Sequence, residues 1–256
     1  DVNSAYLSKV GDDQLSEEML QFMSDNRVDI QYVKKVTGST TGLYLISLVN
    51  GERTFSYWRN NSAAKLLAQS PDDLENAMKE QDIIYFSGIT LAILDASSRE
   101  NLFSSLKLAR RAGTKIAFDP NIRPKLWTDR NEMCEVIMAG ANLSDIILPS
   151  FEDEAVWFSD TDPRSTLDRY RNVGAETIVV KNAGEPISFF SEQEMGIHNI
   201  KAIEKIVDST AAGDSFNSEI LVGLLRKIPI NDAINNGVHL AKKVIMGKGA
   251  LVPSNV

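Results

Sequence analysis

Cysteine and histidine are scarce in this sequence, and their scarcity excludes several kinds of site. One cysteine, Cys134, occurs in 256 residues, so no intramolecular disulfide can form, which fits a reducing cytoplasm. The two histidines, His198 and His239, lie far apart and have no cysteine partners. A zinc site or a Ser–His triad is therefore disfavoured, and both histidines are expected to be ordinary buried or surface residues.

Long apolar runs and excess positive charge are missing as well. No run approaches the ~20 apolar residues that a membrane span requires, and the opening residues show no signal-peptide pattern. The net charge of −8 argues against nucleic-acid and membrane-surface partners, because both need a basic face. We therefore expect a cytoplasmic protein that binds neither. An acidic chain that binds anions must gather positive charge and N–H donors locally.

Hydrophobic residues make up 43% of the chain, enough for a substantial core. From residue 81 onward, short apolar runs rich in Ile or Val alternate with amphipathic stretches, as buried parallel strands alternate with helices. In the helix candidate Ser97–Ala112, three apolar residues form one stripe and Gly113 is a stop signal. This order predicts a doubly wound α/β domain with a mostly parallel sheet. The strand candidates are Asp82–Ser87, Lys115–Asp119, Asp145–Pro149 and Glu176–Lys181, and two final helices are expected at Asp214–Lys227 and Asn231–Met246.

The segment 28–58 has a different pattern. Val28–Val36, Gly42–Leu48 and Arg53–Trp58 resemble strands, and Asn50-Gly51 between the last two is a strong hairpin signal. These runs predict a small antiparallel sheet that forms a lid or a dimerisation surface. An edge meander packed on the main sheet is the alternative.

The predicted organisation is a core of residues 1–27 and 59–256, which binds nucleotide and substrate, with a lid of residues 28–58. An exposed β-sheet offers unpaired backbone groups to a second copy of the chain. We therefore expect a homo-oligomer that forms through the lid.

The segment Asp208-Ser-Thr-Ala-Ala-Gly-Asp214 precedes a clear amphipathic helix. Its small residues let backbone N–H groups converge at the helix start, where the positive end of the helix dipole also favours an anion. Asp214 could then act as a base for a hydroxyl that attacks a bound phosphate. The alternative from the spacing alone is an ordinary turn in which Asp214 is a cap or first-turn residue.

Residues 208–217 resemble the C-terminal signature D-T-x-G-A-G-D-x-F of the ribokinase-like (PfkB) carbohydrate kinases. The resemblance implies ATP as phosphoryl donor, an anion hole at Ala211, Ala212 and Gly213, and Asp214 as the catalytic base. Ala211 stands where many members have glycine. The competing P-loop, dinucleotide-binding and protein-kinase motifs are absent from the sequence.

Two further segments match the family in the right order. Lys181-Asn-Ala-Gly184 resembles the K-x-G turn near the nucleotide phosphates, so Lys181 and Gly184 are implied nucleotide contacts. Pro149-Ser-Phe-Glu-Asp153 stands where many members have N-x-x-E, a motif linked to magnesium and phosphate. Ser150 replaces the asparagine and Asp153 the glutamate, and an N-capped helix start is the alternative for both. Magnesium is the implied metal, and a monovalent cation is a further candidate.

The segments Asp119–Trp127 and Phe55–Lys65 resemble the branch of the family that phosphorylates 2-keto-3-deoxygluconate at its 6-hydroxyl. A sugar acid suits an arginine, because a guanidinium clamps a carboxylate through two parallel hydrogen bonds. Exposed strand residues with a solvated charge are the alternative for Tyr57 and Arg59. The substrate contacts implied are Tyr44, Tyr57, Arg59, Ile89, Arg123 and Asp214, and Asn121 and Arg123 are also implied near the nucleotide.

The opening residues depart from the family pattern. Asp1-Val-Asn3 resembles the substrate loop G-G-D-x-x-N with its glycines lost and its spacing shortened, and the strand that normally precedes it is missing. We expect residues to be omitted there, with Asn3 as a substrate contact. Two other functions stay open: a kinase of a neutral sugar or nucleoside, in which Arg59 is incidental, and a sugar-acid sensor without catalysis.

Overall fold

The computed structural model describes residues 2–49, 52–192, 194–200 and 206–252. The strands are β1 Ser4–Ala5, β2 Ser8–Val10, β3 Val28–Asp29, β4 Val33–Lys35, β5 Leu43–Val49, β6 Glu52–Trp58, β7 Ile83–Ser87, β8 Lys115–Asp119, β9 Ile146–Ile147, β10 Thr177–Val180, β11 Ile187–Ser191 and β12 Glu194–His198. The α-helices are α1 Gln14–Asp25, α2 Pro71–Met78, α3 Gly88–Ile93, α4 Ala96–Arg111, α5 Arg130–Asn142, α6 Phe151–Phe158, α7 Pro163–Asn172, α8 Ala212–Leu225 and α9 Ile230–Ile245. Two short 3-10 helices span Ala63–Leu66 and Pro124–Leu126.

Contacts divide the chain into two compact units, and the larger consists of residues 81–89 and 113–256. Its sheet has six strands in the order β12-β11-β10-β9-β8-β7. Strands β7 to β10 are parallel, whereas β11 and β12 pair antiparallel at the end of the row. The predicted fold class, an α/β fold with a mostly parallel central sheet and flanking helices, is confirmed.

Helices α8 and α9 contribute to a buried core of this unit. Phe216 and Ile220 of α8 and Ile234 of α9 lie in one buried cluster with residues of β8 to β11. The backbone O of Phe216 and its ring also lie close to Gly237, where a Cβ would meet them at 2.8 to 3.1 Å. This packing holds the start of α8 against the carboxyl ends of the parallel strands.

The second unit consists of residues 1–80 and 90–112. Strand β1 pairs parallel with β3, and β2 pairs parallel with β4, with α1 between the paired segments as the crossover that parallel strands need. The expected strand Val28–Val36 is therefore two short strands that do not join the antiparallel sheet. That sheet consists of β5 and β6, and Tyr44 is opposite Tyr57. The Asn50-Gly51 turn lies outside the described residues, and the division into core and lid stays a prediction.

The bounds of the helix α4 agree with the prediction from local sequence signals to within one residue at each end. Asp95 caps it, since its side-chain oxygen accepts a hydrogen bond from the Ser98 N–H at 2.7 Å. The stripe of Leu102, Leu106 and Ala109 is buried, as predicted, and Gly113 follows with φ of +106°. No helix within the described ranges is long and apolar enough to span a lipid bilayer.

Candidate active site

A buried carboxylate, Asp119, lies at the carboxyl end of β8, where parallel α/β sheets place their ligand sites. Its Oδ1 accepts a hydrogen bond from the Asn121 backbone N–H at 3.0 Å. Its Oδ2 accepts hydrogen bonds from Lys181 Nζ at 3.2 Å and from Asn217 Nδ2 at 2.7 Å. One side chain thus links the end of β8, the end of β10 and the start of α8.

The ammonium group of Lys181 is turned into this cluster. Besides Asp119, it donates to the backbone O of Leu148 at 2.6 Å and to Asn217 Oδ1 at 2.9 Å. An ammonium group has three N–H donors, and three acceptors surround this one. The Lys181 side chain is 12% exposed, which fits a residue whose charge is used inside the protein. Its predicted contact with nucleotide phosphate stays a prediction.

Asn217 connects the cluster to the start of α8 and to β7. It is 1% exposed, and its Nδ2 also donates to the Tyr85 hydroxyl at 3.2 Å. Desolvation of that hydroxyl and the nearby charge of Asp119 raise the pKa of Tyr85 above that of a free phenol, which is itself neutral at physiological pH. Asn217 comes one helical turn after Asp214, so the hydrogen bonds of Asn217 fix the turn that carries this aspartate.

Asp214 is an exposed residue of the first turn of α8, where a carboxylate is favoured by the helix dipole. Partial desolvation by the surrounding protein raises its pKa, and the charge of Asp119 raises it further. The positive charges of Lys181 and Arg123 lower the pKa of Asp214 and so oppose this shift. The balance gives a carboxylate that is more basic than a free aspartate, as a general base requires.

The loop before α8 and the start of this helix contain the predicted anion hole of Ala211, Ala212 and Gly213, which stays a prediction. Asp208 closes a turn by accepting hydrogen bonds from the N–H and hydroxyl of Thr210, at 2.9 and 2.6 Å. Ala211 takes a left-handed conformation, with φ of 62° and ψ of 9°. The Ala212 N–H donates to Ser209 O at 3.3 Å, and the helical ladder begins with Ser215 N–H to Ala211 O. The N–H groups of residues 213 and 214 precede that first helical bond, as the donors of an anion site do.

The loop after β8 carries Arg123 towards the same end of the sheet. Asn121 has a positive φ of 33°, and its bond to Asp119 holds the loop in this bend. The guanidinium of Arg123 is exposed, donates to the Ile122 backbone O at 3.1 Å, and lies 3.9 Å from Asp153 Oδ2. An arginine so placed can meet an anionic oxygen that enters from solvent.

Asp153 is the carboxylate predicted from the sequence to meet a magnesium ion. Desolvation first, and then the charges of Asp119 and Glu152, raise its pKa, while Arg123 lowers it. A divalent cation would offset this local excess of negative charge. No group of three or more His, Cys, Asp or Glu among the described residues could hold a metal. Magnesium keeps most of its waters and uses few protein carboxylates, so Asp153 stays the predicted magnesium ligand.

Two other predicted nucleotide contacts lie at the ends of neighbouring strands. Ser150 forms a parallel bridge with Lys181 and occupies the N-cap position of α6, but its side chain makes no capping hydrogen bond. The expected N-cap is therefore present in position only. Gly184 lies in an exposed turn that is closed by the Glu185 N–H to the Asn182 O at 2.8 Å. A backbone without side chains suits the close approach of a ligand.

Three predicted sugar-binding residues of the second unit, Tyr44, Tyr57 and Arg59, form one cluster. The rings of Tyr44 and Tyr57 lie 6.3 Å apart, and the guanidinium carbon of Arg59 lies 4.3 Å from the Tyr57 ring centroid. This contact orients the arginine through a cation–π interaction. Asn3 is an exposed residue just before β1, and Ile89 is a half-buried residue of α3. Their predicted roles stay predictions.

Comparison with known proteins assigns this arrangement to a family. A model of the pfkB family carbohydrate kinases matches residues 2–255. The chain belongs to this family. The match agrees with the resemblance of residues 208–217 to the family signature, and it makes the protein a carbohydrate kinase, with ATP as the family's phosphoryl donor.

Relatives within the pfkB family resemble the chain over nearly its whole length. The 2-dehydro-3-deoxygluconokinase of Haemophilus influenzae is 36% identical over 253 residues, which are 96% of this chain and 80% of that protein. The enzyme of the same name from Escherichia coli K12 is 34% identical over 97% of this chain and 82% of its own length. The crystal structure of a PfkB protein from Polaromonas sp. JS666 aligns with a TM-score of 0.86 and 25% identity, over 96% of this chain and 81% of that one.

Three residues of this hydrogen-bonded cluster were not singled out from the sequence as site residues: the buried Asp119 and Asn217, and the exposed Tyr85. Asp119 and Asn217 were part of quoted motifs, but their mutual contact joins positions 98 apart. Tyr85 lies 132 positions from Asn217. The sequence offered one signal: Asp119 ends an apolar strand with a polar group, and Tyr85 places one within such a strand. Polar groups at these positions are too common to identify a cluster.

Proposed function

We propose that the protein transfers the γ-phosphoryl group of ATP to the 6-hydroxyl of 2-keto-3-deoxygluconate, the sugar acid also called 2-dehydro-3-deoxygluconate. The observation that carries the proposal is the position of Asp214 in the first turn of α8, directly after a loop of small residues. The relatives named as kinases of this sugar acid, at 34% and 36% identity over nearly the full chain, support the choice of acceptor.

In this mechanism Asp214 accepts the proton of the acceptor hydroxyl as its oxygen attacks the phosphoryl group. Phosphoryl transfer asks the protein mainly for positioning and charge stabilisation. The N–H groups at the start of α8 and the guanidinium of Arg123 would stabilise the charge that develops on the phosphoryl oxygens. Asp153 would hold a magnesium ion, which would supply further positive charge there.

Binding of the acceptor is assigned to Tyr44, Tyr57 and Arg59. The cluster supports this role, because Tyr57 holds the guanidinium of Arg59 by its ring face and leaves the N–H edges of Arg59 for a carboxylate. The two tyrosines contribute hydroxyl groups and flat apolar surfaces at low entropic cost. We also propose that a homo-oligomer forms through the sheet of β5 and β6. This sheet has three exposed apolar side chains, those of Leu43, Leu45 and Trp58, as an interaction surface would.

The acceptor can be tested by measuring ADP release with magnesium-ATP, with and without potassium, across four compounds. These are 2-keto-3-deoxygluconate, fructose, ribose and adenosine. We expect release with the sugar acid at a kcat/KM well above that of the others. A higher value for a neutral sugar would replace the proposed acceptor, and no release with any compound would favour a sensor.

We predict that Asp214→Asn lowers kcat by about 10²- to 10⁴-fold, because an amide cannot accept the hydroxyl proton. Nucleotide affinity should change little. The matched control is Asp232→Asn, which removes the same charge from the first turn of α9, at an exposed position. Steady-state rates and calorimetric titration with ADP measure both effects. Turnover of Asp214→Asn close to that of the control would rule out Asp214 as the base.

A further inference from the structure

The buried pair of Lys181 and Asp119 has a consequence for the base beside it. Their side chains are 12% and 5% exposed, and they lie 3.2 Å apart. All three N–H donors of Lys181 have acceptors within the protein, namely Asp119 Oδ2, Leu148 O and Asn217 Oδ1. A ligand phosphate could bind this ammonium only if one of these bonds were given up.

We propose that Lys181 is a positioning residue that balances the charge of Asp119 near Asp214 and holds Asn217 in place, and that it does not bind phosphate. This inference rests on the proposed phosphoryl transfer, since it concerns the base of that reaction. Lys181, the lysine of the K-x-G segment, thus has a role inside the protein in place of the nucleotide contact expected from the sequence.

The charged and titratable groups around Asp214 come from four segments of the chain. Asp119 ends β8, Lys181 follows β10, Arg123 lies in the loop after β8, and the neutral phenol of Tyr85 lies on β7. Asp119 raises the pKa of Asp214, whereas Lys181 and Arg123 lower it. Without Lys181, the Asp119 carboxylate would be buried without a compensating charge next to a second carboxylate. When two carboxylates lie close together, the charge of one raises the pKa of the other.

Lys181 also acts through geometry. The Oδ1 of Asn217 accepts a hydrogen bond from the Lys181 ammonium, and the Nδ2 of Asn217 donates one to Asp119. Because Lys181 also donates to Asp119, the three side chains form a closed ring of hydrogen bonds. Asn217 is one turn beyond Asp214 on α8. Loss of Lys181 would therefore release the turn that aims the base, in addition to changing its ionisation.

The test compares Lys181→Met with the double variant Asp119→Asn/Lys181→Met. In the single variant we expect the acid limb of the kcat/KM profile to move up by about one pH unit, the size of a typical single-charge effect. In the double variant the uncompensated charge is gone, so the limb should return to its wild-type position. The affinity for ADP, measured by calorimetry, should stay within about twofold of the wild type in both variants, since the inference removes no phosphate contact.

Lys115→Met is the matched control. Lys115 begins β8, and its exposed ammonium pairs with Glu176 at 2.7 Å. This variant removes a lysine from a lysine–carboxylate pair at the other end of the same strand. Neither the pH profile nor nucleotide affinity should change.

The two Lys181 variants would give a different result if Lys181 bound a nucleotide phosphate. If Lys181 bound the α- or β-phosphate, both Lys181 variants would lose ADP affinity by tenfold or more. If it bound the γ-phosphate, they would instead lose affinity for a non-hydrolysable ATP analogue, and in neither case would Asp119→Asn give rescue. Weakened binding of ADP or of the analogue in the double variant would overturn the inference, whatever the pH profile shows. So would a single-variant profile that stays at the wild-type position.

Two safeguards keep the test decisive. If Lys181→Met does not fold, the double variant alone decides through its ADP affinity and pH profile, because it contains no unpaired buried charge. If the wild type does not phosphorylate the sugar acid, the proposed acceptor is wrong. The titrations with ADP and the ATP analogue would still show whether Lys181 binds nucleotide phosphate or balances a charge inside the protein.

Discussion

The backbone at position 211 takes a left-handed conformation that glycine adopts freely and alanine does not. Ala211 has φ of 62° and ψ of 9°, at the N-cap of α8. In this region the Cβ crowds the following carbonyl oxygen, at a cost of roughly 1–2 kcal/mol for a residue other than glycine. The surrounding turn, closed by Asp208 and Thr210, imposes the conformation. The protein therefore carries local strain in the loop that precedes its base.

We predict that Ala211→Gly stabilises the protein by about 1 kcal/mol, because it removes this strain at a modest cost in unfolded-state entropy. The control is Ala212→Gly, one residue further on, where the backbone is helical and glycine should destabilise by up to about 1 kcal/mol. Urea unfolding of the wild type and both variants measures the two free energies. Destabilisation by Ala211→Gly equal to that of the control would show that position 211 is not strained.

At the residue scale, motif positions were easier to predict than the contacts among them. The substitution of alanine for glycine at 211 was visible in the sequence, but its backbone conformation depends on the turn that Asp208 closes. Likewise, the ring of Asp119, Lys181 and Asn217 arises from three elements that are distant in sequence. Side-chain partners at such distances are set by tertiary packing, which local patterns do not encode.

Helices α6 and α7 are joined by a buried ionic cluster. Glu154 of α6 is fully buried and accepts hydrogen bonds from Arg169 Nη2 at 2.7 Å and from the Tyr170 hydroxyl at 3.0 Å. Arg169 also pairs with Asp160, so one guanidinium serves two carboxylates. Burial above all raises the pKa of Glu154 to about 7, and the charge of Asp160 adds to this shift.

This pKa makes the stability of the two helices depend on pH. Between the ordinary glutamate pKa of 4.5 and about 7, folded Glu154 keeps a proton that the unfolded chain releases. The free energy of unfolding should therefore fall as the pH rises through this window. We predict that Glu154→Gln, which cannot titrate, shows a smaller fall than the wild type in urea unfolding at pH 5, 6 and 7.

The control for this prediction is Glu176→Gln. Glu176 is exposed, and its ion pair with Lys115 lies on the surface. Its replacement should leave the pH dependence of the wild type unchanged. A pH dependence of Glu154→Gln equal to that of the control would show that Glu154 titrates as an ordinary glutamate.

At the element scale, helices and buried parallel strands were predictable because their signals are local. The helix α4 was expected at Ser97–Ala112 and is found at Ala96–Arg111, since caps and the apolar stripe define it. The pairing of the segment 28–35 was not predictable in the same way. Its residues pair in parallel with residues 4–10 across the helix α1, and an alternating apolar pattern does not reveal the direction of a partner strand.

The net charge of the whole chain is −8, although both of its proposed substrates are anions. Long-range attraction cannot draw such substrates to an acidic protein, so their binding depends on a few cations in defined places. Arg123 is the candidate for this role in the unit that contains Asp214. For the carboxylate of the acceptor, Arg59 is the candidate, held at 4.3 Å from the Tyr57 ring centroid.

We predict that Arg59→Ala raises the KM for 2-keto-3-deoxygluconate by roughly 10- to 100-fold, the range expected when a hydrogen-bonded charge is lost. The KM for any neutral sugar that is turned over should rise far less, because such a sugar has no carboxylate to pair. Arg59→Lys keeps the charge but not the planar fork, so its KM should be intermediate. The control is Arg164→Ala, which removes an exposed arginine paired with Asp168 and should change neither value. Equal increases for acidic and neutral sugars in Arg59→Ala would mean that this arginine shapes the protein and does not recognise the acid.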